Sequence, residues 1–174
     1  MATPITNGSL EKGPLGKDYW GPRIWRLLHT LSCHPGVGSS KAVVLARDER
    51  SAWLYMLKAL GQIMPCDRCK QHYREWFHAA GILKETMYVG DLRAYVRGSL
   101  FDLHCSANVD QGKPPAPVAY ADLDSAYPSQ PLTPIVQELE GTWSAGLERR
   151  LIGLDSVRLW RRSVGTLLGM YGLG

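Results

Sequence analysis

A chain of 174 residues, 45% hydrophobic and 21% charged, is long enough for one domain with a real core and too apolar to be disordered throughout. Its net charge of +4 permits an anionic ligand or partner without demanding nucleic acid. No run of about 18 apolar residues is present, which argues against a membrane span. Met1 to Lys17 lacks the apolar centre of a signal peptide, so a cytoplasmic location is expected. Cys33, Cys66, Cys69 and Cys105 are too few and too scattered for a disulfide-stapled secreted scaffold.

Residues 1–17, rich in Gly, Pro, Ser and Thr, read as a flexible arm. Trp20, Ile24, Leu27, Leu28 and Leu31 then recur at helical spacing and stop near His34-Pro35-Gly36. A loop through Gly38-Ser39-Ser40 leads to a long second helix carrying Val43, Val44, Trp53, Leu54, Leu57, Leu60 and Ile63. A third helix opens at Cys66 and closes at Gly81. Asp91 caps a fourth, with the stripe Leu92, Tyr95, Val96, Leu100 and Leu103, ending near Gly112. A short fifth covers about 118–127. Thr133–Ile152, with Pro134 in its first turn, and Asp155 to about Met170 form two more. No alternating strand pattern competes, so the expected fold is all-α: a four- or five-helix bundle over 18–127 with a helical C-terminal extension over 128–174.

The chemistry concentrates in Pro65-Cys66-Asp67-Arg68-Cys69. Two thiols three positions apart at a helix start can close a reversible disulfide, and unpaired N–H groups with the helix dipole favour a thiolate there. Arg68, Lys70 and His72 push the same way, and Asp67 pushes back. A zinc site in a binding or scaffold protein would need Cys66, Cys69, His72 and a distant fourth ligand; no second CxxC and no paired His support it. A thioredoxin-like motif needs a βαβ setting, which this chain does not offer. The third reading is a dithiol working on a flavin. Trp25, His29 and Cys33 share one helix face, and His104, Asn108 and Gly112 share another. Such residues can offer flat rings and hydrogen bonds to a dinucleotide, with Lys113 and Arg23 as cations for its pyrophosphate.

Trp20-Gly21-Pro22-Arg23-Ile24-Trp25-Arg26-Leu27-Leu28-His29-Thr30-Leu31 resembles the W-x-x-L-H-T helix of the Erv/ALR family of FAD-dependent sulfhydryl oxidases. Met64-Pro65-Cys66-Asp67-Arg68-Cys69 is similar to that family's Y-P-C-x-x-C, and His104 to Pro114 to its H-N-x-V-N-x-x-L-G-K-P. The three motifs keep the family's order and span about residues 18–127.

The resemblance implies FAD as cofactor, held by Gly21, Arg23, Trp25, His29, His104, Asn108, Lys113 and Tyr127. It implies Cys66 and Cys69 as the redox pair and no metal. Cys66 would meet the substrate, and Cys69 would pass electrons to the flavin and on to O2, yielding H2O2. A homodimer is implied, acting on a protein dithiol or a thioredoxin-like carrier, since this chain has no additional shuttle CxxC. The compact form is similar to members from large cytoplasmic DNA viruses, which points to host cytoplasm and virion. Cys105, Ala107 and Gln111 depart from the third motif without touching His104 or Asn108. Tyr120 stands where many relatives carry a structural cysteine, leaving Cys33 and Cys105 as buried free thiols, a mutual bridge or an intersubunit disulfide.

Overall fold

The stripe from Trp20 to Leu31 folds into α1 (Lys17–Ser32) with its apolar side chains buried, and the second stripe forms α2 (Val43–Ile63). The computed structural model describes residues 13–36 and 43–174; the expected loop at Gly38-Ser39-Ser40 and residues 1–12 of the expected arm lie outside them. Cys66 is the N-cap of α3 (Asp67–Ala79), in extended conformation, and Asp91 caps α5 (Leu92–Asp110) by accepting a hydrogen bond from the Ala94 N–H at 2.9 Å. After a 3-10 turn at Tyr120–Asp122 come α6 (Leu123–Ala126), α7 (Thr133–Glu148) and α8 (Leu154–Tyr171). Among the described residues there is no strand, and the fold is an all-α bundle.

Three local expectations differ from the structure. Gly81, with φ +63°, ends α3 and at once starts a further helix, α4 (Ile82–Tyr88), which the apolar pattern does not announce. A single left-handed residue lets the chain turn a corner and resume, and α4 buries Ile82 and Thr86. Helix α7 stops at Glu148 rather than Ile152 because Arg150 takes a left-handed φ of 56°. Its N–H bonds Leu147 O at 3.0 Å and the Leu151 N–H bonds Gly146 O at 2.9 Å, the pairing of a Schellman cap with arginine where glycine is usual. Residues 13–16 are packed rather than loose: Leu15 is buried, the Trp20 indole donates to Leu15 O at 3.2 Å, and the Thr142 hydroxyl donates to Pro14 O at 2.8 Å.

The C-terminal helices share the core of the bundle. α8 lies along α2, where Val157, Trp160, Val164 and Leu167 join Trp53, Leu57 and Leu60 in one buried cluster. A polar seam registers the pair. The Trp53 indole donates to the Tyr171 hydroxyl (2.8 Å), which donates to Glu49 Oε1 (2.7 Å), and the Gly36 N–H donates to the same oxygen (3.0 Å). On the other side α1 packs on α5 and α7, with an Arg23–Glu138 ion pair between α1 and α7. No helix among the described residues is long and apolar enough to cross a membrane.

Candidate functional site

Cys66 and Cys69 are joined by a disulfide, with Cα atoms 5.2 Å apart, at the start of α3. Both are half-buried. The Cys69 N–H donates to Cys66 Sγ at 3.2 Å, so the first sulfur is the capping acceptor of the helix. A thiolate released at Cys66 would keep that donor and the positive end of the helix dipole. The neighbouring polar side chains have other partners: Arg68 pairs with Asp110 (2.7 Å), Lys70 donates to Leu151 O (2.7 Å), and His72 Nε2 meets the Ser106 hydroxyl (2.8 Å). The Cys69 N–H is therefore the donor already in place for a thiolate at Cys66.

Cys69 lies on the wall of a largely apolar cleft of about 340 Å³ between α1, α3 and α5. That volume falls within the roughly 300–1,000 Å³ of small-molecule and cofactor sites. Gly21 and Trp25 line it from α1, Leu60 and Met64 from the end of α2, and His104 and Asn108 from α5, with Lys113 and Tyr127 beyond. Trp25 and His104 stack with ring centroids 4.1 Å apart and planes 8° apart. Because these rings touch, a planar ligand would stack on an outer face of the pair, not between them. His29 sits deeper. Its Nε2 meets His104 Nδ1 at 2.9 Å, its ring packs on Tyr127 at 4.7 Å, and its Nδ1 is buried without a hydrogen-bond partner among the described residues. Burial, then His104 and Arg97, lowers its pKa to about 3, and burial lowers that of His104 to about 4. Both imidazoles are neutral at pH 7, so one donates and the other accepts.

The structure thus brings Gly21, Trp25, Cys69, His104, Asn108, Lys113 and Tyr127 around one space, with His29 behind it. Cys66 is bonded to Cys69 but does not line the cleft. Arg23 is turned elsewhere, to Glu138, to Tyr19 O at 2.6 Å and over the Tyr19 ring at 3.9 Å. Lys17 lines the cleft, as do Leu60, Met64 and Tyr73. Tyr73 follows Cys69 by four residues, so helical spacing could have found it; Leu60 and Met64 carry only a core signal. Lys17 precedes the motif that drew attention to α1. The donor set suits a flavin: stacked rings, apolar walls, the amides of Asn108 and Gln111, and the exposed cations Lys17, Arg68 and Lys113, of which Arg68 is paired with Asp110; Asp18 also lines the cleft. A metal is poorly served, since no group of three or more His, Cys, Asp or Glu that could hold one exists among the described residues.

Cys33 and Cys105 are both free thiols, half-buried. Cys33 lies against Asp124, which also receives Arg97 (2.8 Å) and Arg93 (3.1 Å). Tyr120 packs edge-on against Phe101 and beneath Arg97.

Among curated proteins, the chain is 29% identical over 69 residues to a frog virus 3 (isolate Goorha) protein named "Putative FAD-linked sulfhydryl oxidase 088R". The match covers 40% of this chain and 44% of the relative's length. No family model and no solved structure matches. The chain is therefore similar in part to a viral protein named for flavin-linked thiol oxidation, and its redox-capable cysteine pair is closed as a disulfide beside a cleft.

Proposed function

We propose that this chain is an FAD-dependent thiol oxidase of the Erv/ALR type, a large-DNA-virus member working in the cytoplasm, that forms disulfides in protein dithiols. One observation carries the reading: the Cys66–Cys69 disulfide caps α3 while Cys69 forms part of the wall of the cleft that holds the Trp25–His104 stack. When bound, FAD would accept two electrons from the reduced pair and pass them to O2, giving hydrogen peroxide.

The chain's own residues have distinct tasks in this scheme. Trp25 and His104 offer the ring face, Asn108 and Tyr127 edge contacts, Gly21 an unobstructed stretch of α1, and Lys17 and Lys113 charge for the pyrophosphate. His29, bonded to His104, fixes that ring's orientation. A substrate thiolate attacks Cys66 Sγ, and Cys69 leaves as a thiolate on the cleft side. The second substrate thiolate then attacks the substrate sulfur of the mixed disulfide, and Cys66 leaves as a thiolate held by the Cys69 N–H. The substrate departs with one disulfide, and the chain retains the two electrons as the Cys66/Cys69 dithiol. In this reading the pair meets its substrate or a thioredoxin-like carrier directly, and the chain works as a homodimer.

Oxygen uptake by the purified protein with dithiothreitol tests the proposal. The protein should be yellow and should consume oxygen, Cys66→Ala and Cys69→Ala should abolish uptake, and Cys69→Ala should keep the colour. A colourless protein, or uptake that survives Cys69→Ala, would overturn the reading.

A further inference from the structure

Helix α3 carries two different surfaces. At 100° per residue, Cys69, His72 and Tyr73 lie on the cleft side, while Lys70 and Arg74 form a second stripe roughly 100–140° around the axis from Cys69. That second stripe borders an open groove of about 510 Å³, closed on its far bank by Arg150, Leu151 and Ser156. Lys70 ties the two banks together through its bond to Leu151 O. It also adjoins the disulfide, for it follows Cys69 in the chain and its N–H donates to Cys66 O at 2.9 Å.

Among the described residues no carboxylate lines the groove. Asp67 touches Lys70 Nζ at 3.4 Å, but its side chain is 97% exposed, so it neutralises Lys70 weakly. Among the described residues, Arg74 donates only to Lys70 O (3.3 Å), and Arg150 makes no side-chain hydrogen bond or ion pair. Arg150 also stands in a left-handed conformation that glycine would take without strain. Lys70, Arg74 and Arg150 thus line one open surface beside the redox pair, around α3 from the cleft, with Lys70 bonded to Leu151 O and the two arginines the freer cations.

We propose that this groove selects the substrate: an acidic segment flanking the dithiol of the partner protein seats along Lys70, Arg74 and Arg150 and delivers its thiol to Cys66. The inference rests on the thiol-oxidase reading for its purpose, but the groove is tested on its own by binding. The occupant is an anionic polypeptide because the groove is open rather than a closed pocket, and its cations come from both banks, Lys70 and Arg74 from α3 and Arg150 from the corner between α7 and α8.

The experiment uses three fluorescent peptides that share one Ser-x-x-Ser core, serine replacing the substrate cysteines, flanked by Glu, by Gln or by Lys. Anisotropy should show the Glu peptide binding the full chain at least about fivefold tighter than the Gln peptide at low salt, and the Lys peptide not binding. The preference should close as added salt shortens the screening length. Arg74→Glu with Arg150→Glu should remove the preference while dithiothreitol oxidation stays at its wild-type rate. Arg150→Gly, which relieves the left-handed strain and so keeps the fold secure, should weaken Glu-peptide binding alone. Equal binding of the three peptides, or a preference that survives the double charge reversal, overturns the groove. Failure of dithiothreitol oxidation in the wild-type protein would instead count against the oxidase reading.

Discussion

His29 Nε2 and His104 Nδ1 lie 2.9 Å apart, with both rings buried and both pKa values depressed, to about 3 and about 4. In the unfolded chain each imidazole takes a proton near pH 6.5. Between that pH and the folded values the unfolded state binds more protons, so stability is full above about pH 6.5 and is lost as pH falls. The slope contributed by each ring approaches about 1.4 kcal/mol per pH unit within this window. Urea unfolding from pH 7.5 to 4.5 should show a steep loss for the wild type, and His104→Gln should make it shallower. A variant with the wild-type slope would mean that the pair does not titrate as a buried unit.

Gly61 and Tyr73 set how closely α3 approaches α2. A Cβ on residue 61 would stand 2.8 Å from Tyr73 Cδ1, and the Tyr73 ring is held by its hydroxyl bond to Leu57 O at 2.8 Å. Gly61→Ala should therefore destabilise the protein by about 1–3 kcal/mol and shift the helix that carries the disulfide. At the helical glycines Gly98 and Gly141 a Cβ would meet nothing within 4 Å, so Ala at either should stabilise by about 0.5–1 kcal/mol. Thermal unfolding of the three variants distinguishes close packing at Gly61 from a general glycine effect.

Cys33 should be an unreactive thiol. Burial, then a hydrogen bond to Asp124 and that carboxylate's charge, pushes its pKa up to about 11. At pH 8 its thiolate fraction is on the order of one in a thousand, and reaction with an alkylating agent follows the thiolate. Iodoacetamide labelling of the native protein, read by mass spectrometry, should leave Cys33 largely unmodified, with full labelling after denaturation. Rapid native labelling at Cys33 would contradict this environment.

Much of this arrangement is legible in the order of residues. Apolar periodicity marks α1, α2, α5, α7 and α8, and helical spacing puts Trp25 with His29 and His104 with Asn108 on common faces. Two features escape because their causes are not periodic. Helix α4 is a short segment buried mainly through Ile82 and Thr86, too brief for a stripe to register. The end of α7 depends on Arg150 adopting a conformation that a glycine would have announced. Arg23 sits in the first motif, yet its direction is fixed by Glu138, a partner 115 positions away that no local pattern reveals. The basic groove is equally hidden, since Lys70, Arg74 and Arg150 meet only because α3 packs beside the α7–α8 corner.

The same long-range logic makes the C-terminal region a structural part of the bundle, and Tyr171 tests that claim. Its hydroxyl accepts from the Trp53 indole and donates to Glu49, which is only 4% exposed and also receives the Gly36 N–H. Tyr171→Phe keeps the ring and its packing against His34 but leaves the buried indole donor and carboxylate each short of a partner. An unsatisfied buried group costs about 1–3 kcal/mol. Urea unfolding of Tyr171→Phe should therefore show a loss of at least about 2 kcal/mol. Combining it with Glu49→Gln should cost less than the sum of the two single changes, because both act on one network. Strict additivity would show that the seam between α2 and α8 does not act as a unit.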